Sequence, residues 1–123
     1  TNIEEINGTK LPGELHLFYT DNLLSDNWTA HQQNPIVTDR SCARPAGNIY
    51  VSKNRIFRPA QNCTKHYGYA MKINEITQLN TKNFDEHLHQ SILPDWNKDV
   101  FSTHTINTSD SLIVIDAKIK RKR

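Results

Sequence analysis

The 123-residue sequence predicts an all-β protein, and three observations support this prediction. Short apolar runs alternate with polar residues at the two-residue period of strands. Asparagine, proline and glycine separate these runs, as they do at the turns of antiparallel sheets. A helix is conceivable only around residues 73–79, which is shorter than the roughly ten residues that a convincing helical stripe would need. We therefore expect several short antiparallel strands.

The predicted strands follow one another along most of the chain. They cover residues 14–20, 28–31, 48–51, 56–57, 67–76, 86–93 and 112–117. Residues 14–117 are therefore expected to form one β domain, preceded by a polar segment at residues 1–13 and followed by a basic tail at residues 118–123. The tail is expected to be solvated, and the first ten residues are too polar for a signal peptide.

A β-hairpin is the clearest local prediction. The apolar stretches 48–51 and 56–57 flank a polar turn, Ser52-Lys53-Asn54, and each outer end of the hairpin carries the tripeptide Arg-Pro-Ala. Arginine at the end of a strand is a natural fork for carboxylates, phosphates or sugar hydroxyls. Because proline has no backbone N–H, the second strand is expected to end or to lie at a sheet edge at Pro59.

The chain also repeats a longer pattern. Residues 18–31 and 69–87 each contain a strand, a polar loop, an aromatic residue and a histidine, followed by a proline-marked connection. The offset of roughly 55 to 60 residues is typical of the four-stranded blades of a β-propeller. The sequence therefore predicts about two blades of four-stranded antiparallel sheet. A closed propeller needs at least four blades, so we expect an incomplete ring or one that closes by association.

Composition and charge narrow the function classes. A net charge of +2 gives no strong field for nucleic acid or a membrane surface. No segment approaches the roughly 20 apolar residues of a membrane span. Cys42 and Cys63 would lie near each other at the open end of the hairpin, either as a disulfide or as free thiols, so the cellular compartment stays open.

The predicted ligand-binding residues gather at one end of the blades. In a propeller, the innermost strands line a channel and their starts meet at one mouth. Residues 43–51 and 103–107 are the corresponding inner-strand regions of the two repeats, and the hairpin returns to the same end. The candidate ligand-binding residues are Arg44, Arg58, Gln61, Asn62, His104 and Asn107. Guanidinium, amide and imidazole groups suit a polyhydroxylated or anionic ligand.

Structural alternatives remain open for these side chains. The arginines would instead satisfy strand-end carbonyls or pair with Asp39, and His104 would bond its own loop. No catalytic residues are predicted, because a glycosidase needs two facing carboxyl groups and no pair stands out among Asp39, Asp99 and Asp116, the last expected deep in the final strand. No metal site or cofactor is predicted either.

Several stretches taken together resemble a known family. They are Leu17-Phe18-Tyr19-Thr20-Asp21, Trp28-x-x-His31-x-x-Asn34-Pro35, Ala43-Arg44-Pro45-Ala46-Gly47, Phe57-Arg58-Pro59-Ala60-Gln61-Asn62-Cys63 with Tyr67-Gly68, and His104-Thr105-Ile106-Asn107. The chain, from about Glu14 to Ala117, resembles the five-bladed β-propeller domains related to arabinanase- and furanosidase-type glycosidases. It is most similar to the branch found beside formyltransferase-like or glycosyltransferase domains, including the plant glucosamine inositolphosphorylceramide transferases.

This resemblance implies a carbohydrate-related propeller in which Arg44, Arg58, Gln61, Asn62 and His104 face the ligand. The glycosidase relatives carry a catalytic Asp-Pro in their first blade, and this chain has no Asp-Pro. The first hypothesis is therefore recognition of a sugar, a glycolipid headgroup or a nucleotide sugar. The second is a glycosidase or glycosyl-transfer component whose carboxylates lie outside this chain. The third is a structural fragment that assembles with the rest of a propeller or an adjoining transferase domain.

Overall fold

A computed structural model describes residues 2–6 and 9–121, and the described chain is built of antiparallel strands. The strands are β1 (Asn2–Ile6), β2 (Thr9–Glu14), β3 (Phe18–Tyr19), β4 (Thr29–Ala30), β5 (Tyr50–Ser52), β6 (Arg55–Asn62), β7 (Ala70–Leu79), β8 (Phe84–Ile92), β9 (Val100–Ser102), β10 (Ile106–Ser109), β11 (Leu112–Ile115) and β12 (Lys118–Ile119). Within these ranges there is no helix, and residues 73–79 belong to β7. The predicted all-β class is confirmed.

A four-stranded sheet with the order β5-β6-β7-β8 forms the centre of the fold. The predicted hairpin is β5 and β6, which pair from Tyr50 with Phe57 to Ser52 with Arg55. Its two-residue turn consists of Lys53 and Asn54, both in the left-handed region, with φ of 49° and 61°. Such turns match the twist of the flanking strands, and asparagine tolerates this backbone conformation well.

Pro59 lies inside β6, where it pairs with Ile73 of β7. The prediction that the strand ends or lies at an edge there is wrong. The carbonyl of Pro59 accepts a hydrogen bond from the N–H of Ala46 at 3.0 Å. The nitrogen of a strand residue points to the same side as its carbonyl, so the missing N–H of Pro59 faces the chain before β5 and not β7. The ladder between β6 and β7 therefore loses no hydrogen bond.

The second predicted four-stranded blade is not formed within the described residues, and no closed ring of blades is present there. The chain turns back after Ser109, so that β10 pairs with β11 and β9 pairs with β12 in two separate two-stranded sheets. Asp116 interrupts the ladder between these sheets because its carboxylate accepts hydrogen bonds from the backbone of His104 and Thr105. The second repeat is thus one long, irregular hairpin.

The N-terminal third departs most from the strand predictions. β1 and β2 pair within the stretch assigned only as a polar segment, although Asn-Gly at residues 7–8 is a known hairpin signal. The predicted strands 14–20 and 28–31 shorten to β3 and β4. The side-chain amide of Asn34 bonds both backbone groups of Leu17, at 2.8 and 2.7 Å, and so replaces part of the strand ladder. Residues 122–123 of the predicted tail lie outside the described residues.

A small apolar core joins the central sheet to the second repeat. It consists of Ala46, Phe57, Met71, Ile73 and Ile106, with Tyr50 and Ile92 packed against it. The backbone N–H of Ile106 donates to the carbonyl of Ala46 at 2.8 Å. A Cβ on Gly47 would lie 1.7 Å from the Ile106 carbonyl oxygen, so glycine permits this close approach. The starts of the two predicted inner-strand regions therefore lie side by side.

Two open questions about the chain have structural answers. Cys42 and Cys63 are free thiols, the first half-buried and the second buried. Burial, followed by the charge of Asp39, raises the pKa of the Cys42 thiol above its ordinary value. Within the described chain, no helix has the length and apolarity needed to cross a membrane.

Candidate functional site

An exposed tyrosine lies between two of the predicted ligand-binding side chains. The guanidinium carbon of Arg44 is 5.1 Å from the ring centroid of Tyr67. The imidazole of His104 contacts the same ring edge-on, with centroids 6.1 Å apart and planes at 72°. Tyr67 is 52% exposed, while Arg44 and His104 are half-buried. These three residues are called the Tyr67 surface.

Different parts of the fold bring these side chains together. Arg44 directly precedes the bridge between Pro45 and Ala60, and its carbonyl accepts the N–H of Gln61 at 2.8 Å. Tyr67 lies in the turn that precedes β7, and His104 lies between β9 and β10. The site thus combines the start of the hairpin, a turn and the second repeat.

Gly68 sets the spacing between the turn and His104. Its backbone is left-handed, with φ of 67°, which glycine adopts without steric cost. A Cβ at this position would lie 3.0 Å from the Cβ of His104, which is tighter than an ordinary contact. The side-chain hydroxyl of Ser102 also donates to the Gly68 carbonyl. The glycine therefore allows the imidazole to pack directly on the turn.

Asp116 holds the other side of the imidazole. Its Oδ2 pairs with His104 Nδ1, and its Oδ1 accepts hydrogen bonds from the backbone N–H groups of His104 and Thr105, each at 2.8 Å. Burial raises the pKa of the Asp116 carboxyl, but these hydrogen bonds and the charge of His104 outweigh burial, so its pKa lies below the ordinary value of 3.8. Asp116 thereby orients the ring and leaves Nε2 as the nitrogen that can meet a ligand.

The expected position of Asp116 was wrong, and its role was missed. The residue follows β11 rather than lying deep within the last strand, and its side chain is 35% exposed. The sequence signal that could have found it is an aspartate directly after four apolar residues, at the end of a strand. Tyr67 was also missed, because the pattern assigns it only to the start of a strand.

Arg58 has a different environment from Arg44. It is 4% exposed, and it donates to both carboxylate oxygens of Glu86, from Nε at 2.7 Å and from Nη2 at 2.5 Å. Nη2 also donates to the Cys42 carbonyl at 2.8 Å, and Asn74 donates to Glu86 at 2.8 Å. This contact set matches the alternative of a structural fork, with Glu86 as the carboxylate in place of Asp39.

The three predicted amide side chains hold nearby backbone or side-chain groups. Gln61 is buried and donates to the Pro45 carbonyl at 3.4 Å. Asn62 Oδ1 accepts from the backbone N–H and hydroxyl of Thr64, at 3.1 and 2.7 Å. Asn107 Oδ1 accepts the N–H of Asn48 at 3.2 Å and so helps to join the two repeats. Of the six candidates, the structure brings only Arg44 and His104 into contact with the exposed Tyr67 ring.

Comparison with known proteins identifies the family. A family model described as the N-terminal part of glucosamine inositolphosphorylceramide transferase 1 matches residues 2–107. The chain belongs to this family. The match includes Arg44, Tyr67 and His104, whereas Asp116 lies beyond it. The transferase branch of the resemblance is therefore confirmed.

Curated relatives agree with this assignment. The chain is 32% identical over 81 residues to glucosamine inositolphosphorylceramide transferase 1 of Oryza sativa subsp. japonica, which covers 64% of the chain and 11% of the relative. It is 27% identical over 81 residues to the protein of the same name from Arabidopsis thaliana, covering 64% of the chain and 10% of the relative. The chain spans about a tenth of the length of these relatives. No solved structure gives a significant match.

Proposed function

We propose that this chain is a carbohydrate-recognising β domain of a glycosyl-transfer protein and that the ligand binds at the Tyr67 surface. The observation that carries the proposal is an exposed aromatic ring flanked by Arg44 and by His104, whose orientation is held by Asp116. Membership of a transferase family supports the link to sugar chemistry. The ligand classes are a sugar, a glycolipid headgroup or a nucleotide sugar.

Each side chain of the Tyr67 surface has a distinct part in this proposal. The face of the Tyr67 ring offers a flat apolar surface for the C–H groups of a sugar ring. Arg44 supplies a planar fork of donors for hydroxyls or for an anionic group such as a phosphate or a carboxylate. His104 Nε2 donates to or accepts from a hydroxyl, since Asp116 holds Nδ1. The positive charge of Arg44 favours an anionic sugar over a neutral one.

The other predicted contacts have supporting parts. The proposal assigns Arg58 and Gln61 to holding the two ends of the hairpin together, because both are buried and bonded to protein groups. Asn62 and Asn107 remain candidates for the rim of the site, because each keeps a side-chain amide group on a half-buried or exposed residue. A large ligand would reach them only after contacting the Tyr67 surface.

The proposed architecture is a portion of a propeller related to the arabinanase and furanosidase type. Support comes from the sequential order of β5-β6-β7-β8, which is the order of strands in a blade. It also comes from the hydrogen bond between Ile106 and Ala46, which sets the beginnings of two successive inner-strand regions side by side. In a propeller such strand beginnings surround one mouth, where the Tyr67 surface would lie.

A catalytic role is the second candidate, and one observation favours it. A histidine held through Nδ1 by a carboxylate is an arrangement suited to proton transfer at Nε2. The carboxylate of Asp116 is itself committed to His104 and Thr105, so a glycoside-cleaving pair would need carboxylates supplied from outside this chain. Turnover of a glycoside or a nucleotide sugar by the purified chain, lost in His104→Ala, would favour this candidate.

Ligand titration with matched variants tests the recognition proposal. The purified chain is titrated calorimetrically, and its thermal unfolding followed, against sugars, uronic acids, sugar phosphates and nucleotide sugars. A ligand at 100 times its Kd should stabilise the chain by about 2.7 kcal/mol. We expect Arg44→Ala and Tyr67→Ala to remove this stabilisation while leaving the unliganded chain folded, because both changes are at the surface.

Arg55→Ala is the matched control for the titration. The Arg55 guanidinium carbon lies 5.2 Å from the ring centroid of Phe57, so the control removes a similar arginine–aromatic contact away from the Tyr67 surface. The control variant should retain ligand binding. Equal binding by all three variants would refute the site. A folded chain that no ligand stabilises would favour the structural hypothesis.

A further inference from the structure

β11 is an apolar strand with little cover on either face. Its four residues, Leu112, Ile113, Val114 and Ile115, are between 40% and 67% exposed. Successive side chains of a strand point to opposite faces, so both faces of β11 present apolar groups to solvent. Single exposed apolar residues are ordinary, but four in succession form a continuous patch of the kind that marks an interaction surface.

One edge of β11 also has no partner strand within the described chain. β10 pairs with β11 on one side. The far edge of β10 is joined to the start of the hairpin through Ile106 and Ala46, and through the N–H of Thr108 and the side chain of Asn48. The outer edge of β11 therefore presents its backbone donors and acceptors for pairing. An exposed, apolar strand edge is a template for another strand.

We propose that a second copy of this chain docks on β11, with the two β11 strands pairing antiparallel across a twofold axis. The resulting sheet would have the order β10-β11-β11-β10, which gives it four strands, the same number as the central sheet. A two-stranded hairpin is marginally stable alone, and additional strands with a shared apolar face stabilise it. This proposal is independent of ligand binding at the Tyr67 surface.

The twofold symmetry restricts the register of the two strands. Residues directly opposite each other in an antiparallel sheet share a face, and a twofold axis perpendicular to the sheet preserves that face. Each residue must therefore oppose a residue an even number of positions away, so the axis passes through a residue. The two central choices within the apolar run are Ile113 and Val114.

Charge decides between these two registers. With Ile113 on the axis, Asp110 of each copy would oppose Asp116 of the other, and like charges directly opposite each other are destabilising. With Val114 on the axis, Asp110 opposes Lys118, and Ile113 opposes Ile115. The second register pairs opposite charges and keeps isoleucines together on one face. Exposed ion pairs contribute little to affinity, so they select the register while apolar burial provides the attraction.

The oligomeric state of the purified chain tests this proposal. Sedimentation equilibrium and light scattering after size exclusion are carried out from about 1 to 100 μM. We expect a reversible dimer and a rise of at least ~10-fold in its Kd for Val114→Lys, because the two lysines would oppose each other on the axis. Leu88→Lys is the matched control, since Leu88 of the edge strand β8 is 53% exposed and Val114 is 55% exposed. The control should remain a dimer.

Charge reversal tests the register itself. Asp110→Lys and Lys118→Asp should each raise the dimer Kd, because each places like charges opposite one another, and the double reversal should restore it. A wild-type chain that is monomeric throughout the concentration range would overturn the proposal and leave β11 for a strand of another polypeptide. A dimer that Val114→Lys does not weaken would also overturn it. If Val114→Lys lost its native circular dichroism, Ile113→Lys would serve as the second test of the same edge.

Discussion

Arg44 and Arg58 open identical Arg-Pro-Ala tripeptides, yet they have different roles. Arg58 belongs to β6 in the middle of the central sheet, where burial requires a charged partner, and Glu86 on β8 provides it. Arg44 lies before β5 in irregular chain, and its guanidinium remains over the ring of Tyr67. The immediate sequence of the two residues is the same, so the difference arises from strand position and from the residues that packing brings nearby.

The buried pair of Arg58 and Glu86 should be important for stability. Glu86→Ala would leave the guanidinium charge buried without its carboxylate, which costs about 3 to 5 kcal/mol. Chemical denaturation of the variant would measure this loss. Glu75→Ala is the control, because it breaks the ion pair with Arg55, whose side chain is 45% exposed and can be solvated. A loss for Glu86→Ala no larger than that for Glu75→Ala would contradict the structural role of Arg58.

The lowered pKa of Asp116 predicts a stability change in acid. The charged form is favoured in the folded chain, so the contribution of Asp116 to stability is fully present above the unfolded pKa of 3.8 and is lost as the pH falls through the lower folded value. The difference in free energy of unfolding between the wild type and Asp116→Asn should therefore shrink below a pH of about 4. Denaturant titrations at several pH values would measure it, and a difference that grows in acid would contradict the assignment.

At the scale of elements, the Lys53–Asn54 turn determines how β5 and β6 pair. Both residues have positive φ, so the turn is two residues long and the register follows from it. The second repeat has a similar short turn between Ser109 and Leu112, but Asp116 interrupts its ladder. Turn length and one side chain thus explain why one hairpin continues into a four-stranded sheet and the other does not.

Lysine is a poor residue for the left-handed position that Lys53 occupies. Lys53→Asn should stabilise the chain by about 0.5 to 1 kcal/mol, because asparagine adopts this backbone conformation at lower cost. Thermal or urea unfolding would measure the gain. Lys98→Asn is an exposed control at a position without positive φ, and it should change stability little. A gain of the same size in the control would show that the turn is not its source.

At the scale of the whole molecule, a small core connects the two repeats. Ile106 is the only member of this core from the second repeat, and it packs with Ala46, Phe57, Met71 and Ile73. The Tyr67 surface depends on the same connection, because Arg44 comes from the first repeat and His104 from the second. Packing at Ile106 and geometry at the site should therefore change together.

Ile106→Ala tests whether the two repeats unfold as one unit. The change removes buried methyl and methylene groups and should cost about 2 to 5 kcal/mol, with a single cooperative transition at a lower denaturant concentration. Urea unfolding followed by both tryptophan fluorescence and circular dichroism would measure it. Ile119→Ala, at an exposed position of β12, should cost much less. Two separate transitions in the wild type would mean that the repeats are not coupled.

The sequence was sufficient for predictions that depend on neighbouring residues. Alternation along the chain determined the all-β class, the polar Lys53–Asn54 turn placed the central hairpin, and the pattern of motifs indicated the transferase family. Arg44 and His104 also followed from the repeat. These features depend on local backbone preferences and on the order of residues, which are written directly in the chain.

Only the tertiary structure decided which side chains meet. It buried Arg58 against Glu86, set Tyr67 between Arg44 and His104, and turned Asp116 back onto the imidazole. It also placed Pro59 inside a sheet and left β11 exposed. Each of these outcomes depends on contacts between distant parts of the chain, where packing, desolvation and the pairing of buried charges outweigh local preference.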